Sequence, residues 1–361
     1  IHPRRVRGTF RRLKWGLMIV TLGIYYLTPW IRWDRGADVP DQAVLIDLPG
    51  QRLYFFFIEI WPQEVYYLTG LLILAAIGLF LVTSVWGRAW CGYACPQTVW
   101  TDLFIVVERW IEGDRNARIR LDRARWGAAK LAKRTIKHAI WIIIGILTGG
   151  AWVFYFVDAP TLVGQLAAFE APTYAYIFIG MLTSTTYLLG GLAREQVCIY
   201  MCPWPRIQAA MVDEHTLTVS YRAYRGEPRG SHKKGSDWEG RGDCVDCMQC
   251  VVVCPMGIDI RDGEQLECIT CGLCLDACNT VMEKVGRPGG LISYDTIANM
   301  DTRAAGGETT RFRFLRPRTL IYIAILTLVT AIMVVALMSR ATLDISALAD
   351  RNPLFVTLSD G

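Results

Sequence analysis

The sequence predicts a polytopic α-helical membrane protein carrying a compact α+β insert. Three observations predict it: five apolar runs of about 20 residues each, basic residues confined to alternate loops, and eight cysteines within the 35 residues from 244 to 278. The chain of 361 residues is 53% hydrophobic yet holds 38 Lys and Arg, so its mean composition averages very apolar blocks with very basic ones.

The apolar runs cover Leu13–Ile31, Val65–Trp86, Ile136–Val157, Thr173–Leu192 and Leu320–Met338. No small-residue cleavage site follows "YYLTPWIRW", so the first run reads as a retained span and not as a signal peptide. Lys and Arg set the orientation. "RRVRGTFRRLK" precedes the first run and "RNARIRLDRARWGAAKLAKRTIK" separates the second from the third, whereas "DAPTLVGQLAAFEAP" has no base at all. The N-terminus is therefore expected inside, and five crossings put the C-terminus outside. The positive-inside rule accounts for the basic loops without a nucleic-acid partner, since no stacking platform accompanies them.

The expected domains follow. Residues 1–212 form a membrane domain, 213–243 a Gly-rich charged linker, 244–300 the cysteine-rich insert, 301–317 a second linker, 318–340 the fifth span and 341–361 the start of an outer segment. Between the first two spans, "LIDLPGQRLYFFFIEIWPQE" alternates loosely, as a short hairpin or interfacial piece would. After the insert, a turn at Pro288–Gly290 is expected to lead into a short strand at Leu291–Tyr294.

Within the insert, Cys-x2-Cys-x2-Cys-x3-Cys occurs twice, as Cys244, Cys247, Cys250, Cys254 and as Cys268, Cys271, Cys274, Cys278. Three thiolates at intervals of three let a tight loop wrap one cubane, while the fourth reaches the other cluster. The expected ligand sets are Cys244, Cys247, Cys250, Cys278 for one [4Fe–4S] cluster and Cys268, Cys271, Cys274, Cys254 for the second. Zinc sites use ligand pairs, not triplets, and disulfides are disfavoured on the cytoplasmic side. Pro255 follows the first motif, but Asn279 stands at the matching position of the second. The insert is thus expected to be a bacterial-type, ferredoxin-like α+β domain.

A second cysteine pattern ends two spans: "CGYACPQTVW" from 91 and "CIYMCPWPRI" from 198. These cysteines, Cys91, Cys95, Cys198 and Cys202, fall at the same side of the membrane and mark a weak internal repeat. Pro96 and Pro203 disfavour helix at the preceding residue and suit the start of a new one, so each motif is expected to break its helix. A helix N-terminus would lower thiol pKa. Soft sulfur ligands suit Cu(I), zinc or an Fe–S cluster; helix-end packing and dithiol chemistry remain as alternatives. "QTVWTDLFIVVERWIEGD" reads as an amphipathic surface helix whose Asp102 and Glu108 make solvent or salt contacts. His2, His215 and His232 read as solvated, and His138 lies at the interface near the Cys-Pro sites.

Together "WCGYACPQTVWTDLF", "ERWIEGDR", "CIYMCPWPRIQ", "CVDCMQCVVVCPMGIDIRDG", "CITCGLCLDAC" and "DRNPLFVTLSDG" resemble the cytochrome c oxidase accessory protein family (CcoG, also called FixG or RdxA). The architecture also resembles NapH- and NosR-type membrane iron–sulfur proteins. The resemblance implies a bacterial inner-membrane protein that reduces Cu(II) to Cu(I) for assembly of a cbb-type oxidase. Its implied partners are copper, oxidase assembly factors or copper chaperones, and an electron donor the sequence does not name; a homodimer is compatible. The Cys-Pro cysteines carry over as the candidate copper or relay site. Family members continue into a periplasmic immunoglobulin-like domain, whose start would coincide with "FVTLSDG". The competing readings are a quinol-linked electron conduit and a non-enzymatic copper-binding scaffold.

Overall fold

The computed structural model describes residues 1–36, 39–232 and 237–339. The segment matching the start of an immunoglobulin-like domain lies outside the described residues. In chain order the helices of the membrane domain are α1 (Thr9–Leu27), α2 (Tyr66–Trp86), α3 (Ala89–Tyr93), α4 (Pro96–Glu112), α5 (Arg115–Arg123), α6 (Ala128–Val153), α7 (Ala159–Ala167), α8 (Thr173–Thr186) and α9 (Trp204–Ala209). The insert adds α10 (Ala223–Gly226), α11 (Gln249–Val252), α12 (Leu273–Lys284) and α13 (Ile297–Ala304), and α14 (Pro317–Met338) closes the described chain.

Among the described residues, four helical stretches are long and apolar enough to cross a membrane: Pro62–Trp86, Ala128–Val153, Thr173–Ala193 and Pro317–Met338. The first expected span, carried by α1, is not among them. Arg11, Arg12 and Lys14 belong to α1 itself, and the helix gives way to a 3₁₀ turn at Thr28. Its uncharged stretch, residues 15–27, is about 20 Å long at 1.5 Å per residue, short of a ~30 Å hydrocarbon core.

Even so, α1 runs the length of the bundle. The backbone amides of Phe10 and Arg11 donate to Asp276 of α12 at 3.3 and 2.8 Å. At the far end, Trp30 packs edge-on against Phe154 beyond α6, with ring centroids 5.6 Å apart. There the loosely alternating segment forms an antiparallel sheet of β1 (Val44–Asp47), β2 (Arg52–Phe55) and β3 (Ile58–Ile60).

Close helix contacts come from small residues. A Cβ at Gly149 would lie 2.8 Å from the Ile179 carbonyl, and one at Gly145 3.1 Å from that of Thr183. This Gly-x-x-x-Gly spacing lets α6 and α8 approach backbone to backbone, as transmembrane pairs do.

The insert holds a strand where the sequence suggests only linker. β4 (Thr218–Tyr221) pairs antiparallel with β5 (Ile292–Asp295), from Thr218 opposite Asp295 to Tyr221 opposite Ile292. Four residues flanked by Gly-rich sequence give too little period for a strand to be read; the partner about 70 residues on supplies the pairing. The sheet, α11 and α12 enclose a core of Val219, Tyr221, Ile260, Leu275, Met282, Leu291 and Ile292 together with Cys244, Cys250 and Cys278.

Candidate iron–sulfur and thiol site

Both cysteine loops of the insert bend in the same way. Asp246 and Met248 flank Cys247 with φ of 51° and 56°; Thr270 and Gly272 flank Cys271 with 47° and 70°. Left-handed residues on either side of the central cysteine curl each loop around a void, at a cost of roughly 1 kcal/mol for each non-glycine residue. One void of about 350 Å³ is lined by Cys244, Cys247, Cys250 and Cys278. The other, about 370 Å³, is lined by Cys254, Cys268, Cys271 and Cys274, with Cys250 at its edge. These are the two ligand groupings the spacing implies, and the donor set is all sulfur. Burial pushes the thiols of Cys250 and Cys254 up to about 11 and those of Cys268 and Cys278 up to about 12. An occupant must therefore bring enough positive charge to displace buried thiol protons, as iron does. Among the described residues no three His, Cys, Asp or Glu side chains are close enough for a single metal ion. Asn279, standing where proline was expected, accepts the Gly290 amide at 2.8 Å and ties α12 to the turn before β5.

The two Cys-Pro motifs break their helices as expected, and from the same backbone kink. Gly87 ends α2 with φ 57°, ψ −123°, four residues before Cys91. Arg194 ends a π-helical stretch, Tyr187–Ala193, with φ 46°, ψ −114°, four residues before Cys198. After the first kink, α3 carries Cys91, and α4 starts on Pro96. After the second, a π-helical turn, Val197–Met201, carries Cys198, and α9 follows Pro203. π-Helical turns cluster at functional sites, and no sequence pattern announced these. Arg194 is held in its left-handed conformation by ion pairing to buried Glu108 and by the Gly191 carbonyl, 2.6 Å away.

The thiols gather. The charge on a Cys91 thiolate would be felt by Cys95, Cys198 and Cys202, and that on Cys198 by Cys95 and Cys202. Cys91 and Cys198 also pack against one apolar cluster containing Val253, Ile269, Cys271 and Leu273, as does Cys254. Burial, reinforced by the neighbouring cysteines, pushes Cys91 up to about 12 and Cys198 up to about 11. For these two thiols this runs opposite to the lowering expected from the helices that begin after Pro96 and Pro203: both lie more than one turn upstream of those N-termini, and desolvation of a buried thiolate dominates. Cys91 Sγ donates to Gln208 Oε1 at 3.2 Å, and Gln208, fully buried, donates in turn to Thr83 at 3.3 Å.

The first motif lies directly on the second insert loop. A Cβ at Gly92 would sit 2.5 Å from the Ile269 carbonyl and 3.1 Å from Cys271 Cα. Tyr93 Oη donates to the Cys271 carbonyl at 2.9 Å and lies 3.5 Å from Tyr294 Oη, which itself donates to the Thr270 carbonyl. Sequence reasoning missed Gly92, Tyr93, Tyr294, Gln208 and Asp276. One signal was available: Gly92 aligns with Ile199 in the other motif, and a glycine in one copy of a repeat marks a close backbone approach.

Of the solvent or salt contacts expected for Asp102 and Glu108, the salt contacts are present, and both side chains are buried: Asp102 pairs with Arg11 at 2.9 Å, and Glu108 with Arg118 and Arg194. His138 Nδ1 meets Tyr187 Oη at 2.9 Å and packs on Trp141, so its neighbours are aromatic. His2 pairs with Asp122 at 2.7 Å, and His232 stacks on Trp238.

Two family models match the chain, one for a 4Fe–4S binding domain over residues 68–115 and one for a 4Fe–4S dicluster domain over residues 193–297. The cofactors are accordingly two [4Fe–4S] clusters. The nitrogen fixation protein FixG of Rhizobium meliloti is 59% identical over all of this chain and 74% of its own length. Proteins RdxB and RdxA of Cereibacter sphaeroides are 60% and 56% identical, again over all of this chain and 76% of theirs. No solved structure matches it. With identities of 56–60% over the whole of this chain, it belongs to the FixG/RdxA family, and it is a membrane protein that transfers electrons through iron–sulfur clusters.

Proposed function

We propose that the chain reduces Cu(II) to Cu(I) at the four Cys-Pro thiols, serving assembly of a cbb-type oxidase in the bacterial inner membrane. The observation that carries this reading is the contact of Gly92 and Tyr93 with Cys271, beside Cys91 and Cys198. In this reading Cys244, Cys247, Cys250 and Cys278 hold one cluster, and Cys254, Cys268, Cys271 and Cys274 the other. When bound, the clusters supply single electrons at low potential. The chain's own part is to gather four soft donors that favour the cuprous product, release their protons to solvent as the metal binds, and press the thiol-bearing loop onto the cluster loop. In this reading the machinery faces the cytoplasm, which the basic loops on its side support. α1, spanning from Asp276 to Trp30 with Ile19, Val20 and Ile24 exposed, acts as a fifth crossing.

The test is Cu(II) reduction by the purified, cluster-loaded protein, read with a Cu(I)-specific chelator. Replacing Cys91, Cys95, Cys198 and Cys202 by Ser should abolish reduction while iron content and cluster absorption stay unchanged. Undiminished reduction would refute the assignment. Iron analysis separates a further possibility, because the 4Fe–4S binding-domain match spans Cys91 and Cys95: about eight irons per chain leaves these thiols to copper, whereas about twelve places a third cluster there. A quinol-linked conduit is favoured by one feature, a void of about 680 Å³ lined by Arg88, Val212, Leu266 and Cys268 at the end of α2. Quinol-dependent cluster reduction with no copper reduction would select that reading.

A further inference from the structure

An open groove, with about 1930 Å³ of unfilled space including the solvent at its mouth, runs between the start of α1 and the end of α4. Five guanidinium side chains line its polar end, from Arg5, Arg7, Arg11, Arg12 and Arg109, and no carboxylate is among its lining residues. Two of the five keep polar atoms buried and without hydrogen bonds. Arg11 is more than nine-tenths buried; Asp102 holds its Nη1, and its Nη2 has no hydrogen-bond partner. Arg109 gives Nη2 to the Pro3 carbonyl, and its Nε makes no hydrogen bond but lies 4.0 Å from Asp114 Oδ1, which also accepts the Arg5 amide at 3.0 Å. The other end of the groove is apolar, with Ile19, Val106 and Trp110 along it, and Ile19 and Trp110 are exposed.

We propose that this groove seats an anionic phospholipid, with the phosphodiester among the arginines and an acyl chain along Ile19, Val106 and Trp110. Guanidinium forks match phosphate oxygens two at a time, and a cationic end continuous with an apolar end matches a lipid and not a soluble phosphate. The positive-inside rule explains why bases lie on this face; it does not explain a concave set with unused donors. The groove adjoins the α1 terminus held by Asp276, so its occupant would brace the junction of insert and membrane domain. This inference is independent of the copper reading.

The cluster-loaded full chain, stripped of lipid in neutral detergent, is titrated with phosphatidylglycerol, phosphatidylcholine and inorganic phosphate by calorimetry. Phosphatidylglycerol is expected to bind best, with affinity falling as salt rises. Arg7→Gln with Arg12→Gln removes two exposed groove charges and should weaken it roughly thirtyfold, leaving cluster absorption unchanged. Arg120→Gln with Arg123→Gln removes the same charge from exposed positions on α5, outside the groove, and should leave binding nearly intact. Equal binding of phosphatidylcholine, equally tight inorganic phosphate, or equal losses in the two double variants would each overturn the proposal.

Discussion

Between the cysteines of the first Cys-Pro motif, Gly92 occupies a place where a methyl group has no room. A Cβ there would meet backbone, the Ile269 carbonyl at 2.5 Å, which cannot swing aside as a side chain would. Gly92→Ala should push α3 away from the Cys271 loop and slow the proposed copper reduction by tenfold or more, about 1.4 kcal/mol at the barrier. Single-turnover kinetics would show this, and an unchanged rate with normal iron content would mean that the contact has no kinetic role. The raised thiol pKa values give a second prediction at this scale. Cys91, at about 12, and Cys198, at about 11, are protonated throughout the neutral range, so a metal must displace their protons. Cu(I) affinity should therefore rise with pH, by roughly tenfold per unit for each proton displaced, up to the thiol pKa values. Competition titrations against a chelator between about pH 6 and 9, below both values, would measure the slope. A flat profile would show that these two thiols do not bind the metal.

The two motifs show what an element can reveal in sequence and what it hides. Proline placed both helix breaks, since Pro96 and Pro203 cannot follow helical neighbours comfortably. The kink itself was hidden, because one copy uses Gly87 and the other Arg194 for nearly the same φ and ψ. An arginine in that conformation is set by tertiary partners, here Glu108 and the Gly191 carbonyl, which lie far off or carry no side-chain signal. Asp276 was equally silent, reading as an ordinary helical carboxylate between Cys274 and Cys278. Its two oxygens accept the Phe10 and Arg11 amides, so one element supplies the N-cap of another. Asp276→Ala should destabilise this junction by about 1 kcal/mol, the usual worth of a cap. Hydrogen exchange at the α1 amides should quicken while the α6 amides stay protected. On the α6–α8 contact, Gly149→Val should cost more, about 1–3 kcal/mol, because the nearest atom is again a backbone carbonyl.

At the scale of the whole molecule, stability is divided unevenly. The membrane helices need only the bilayer and their mutual packing, and their apolar runs were plain in the sequence except in α1, where Arg11 and Lys14 are buried and Arg11 pairs with Asp102. The insert is different. Its core mixes three cysteines with seven other buried residues, and two voids of about 350 and 370 Å³ lie within it. So small a unit has little apolar surface to offset chain entropy, and binding free energy at such centres becomes folding free energy. Stripping iron with a chelator under reducing conditions should therefore unfold the insert and leave the membrane helices formed. Far-ultraviolet circular dichroism should retain most of its helical signal, because α2, α6, α8 and α14 lie outside the insert. Limited proteolysis should cut between residues 213 and 316, a segment expected to resist cleavage in the loaded protein. The α1 amides should lose protection as well, since their cap resides on α12 between two of the cysteines lining the voids. If the iron-free insert instead resists protease as the loaded one does, the clusters are passengers in a domain stable without them, and coupling of metal to the α1 junction fails with it.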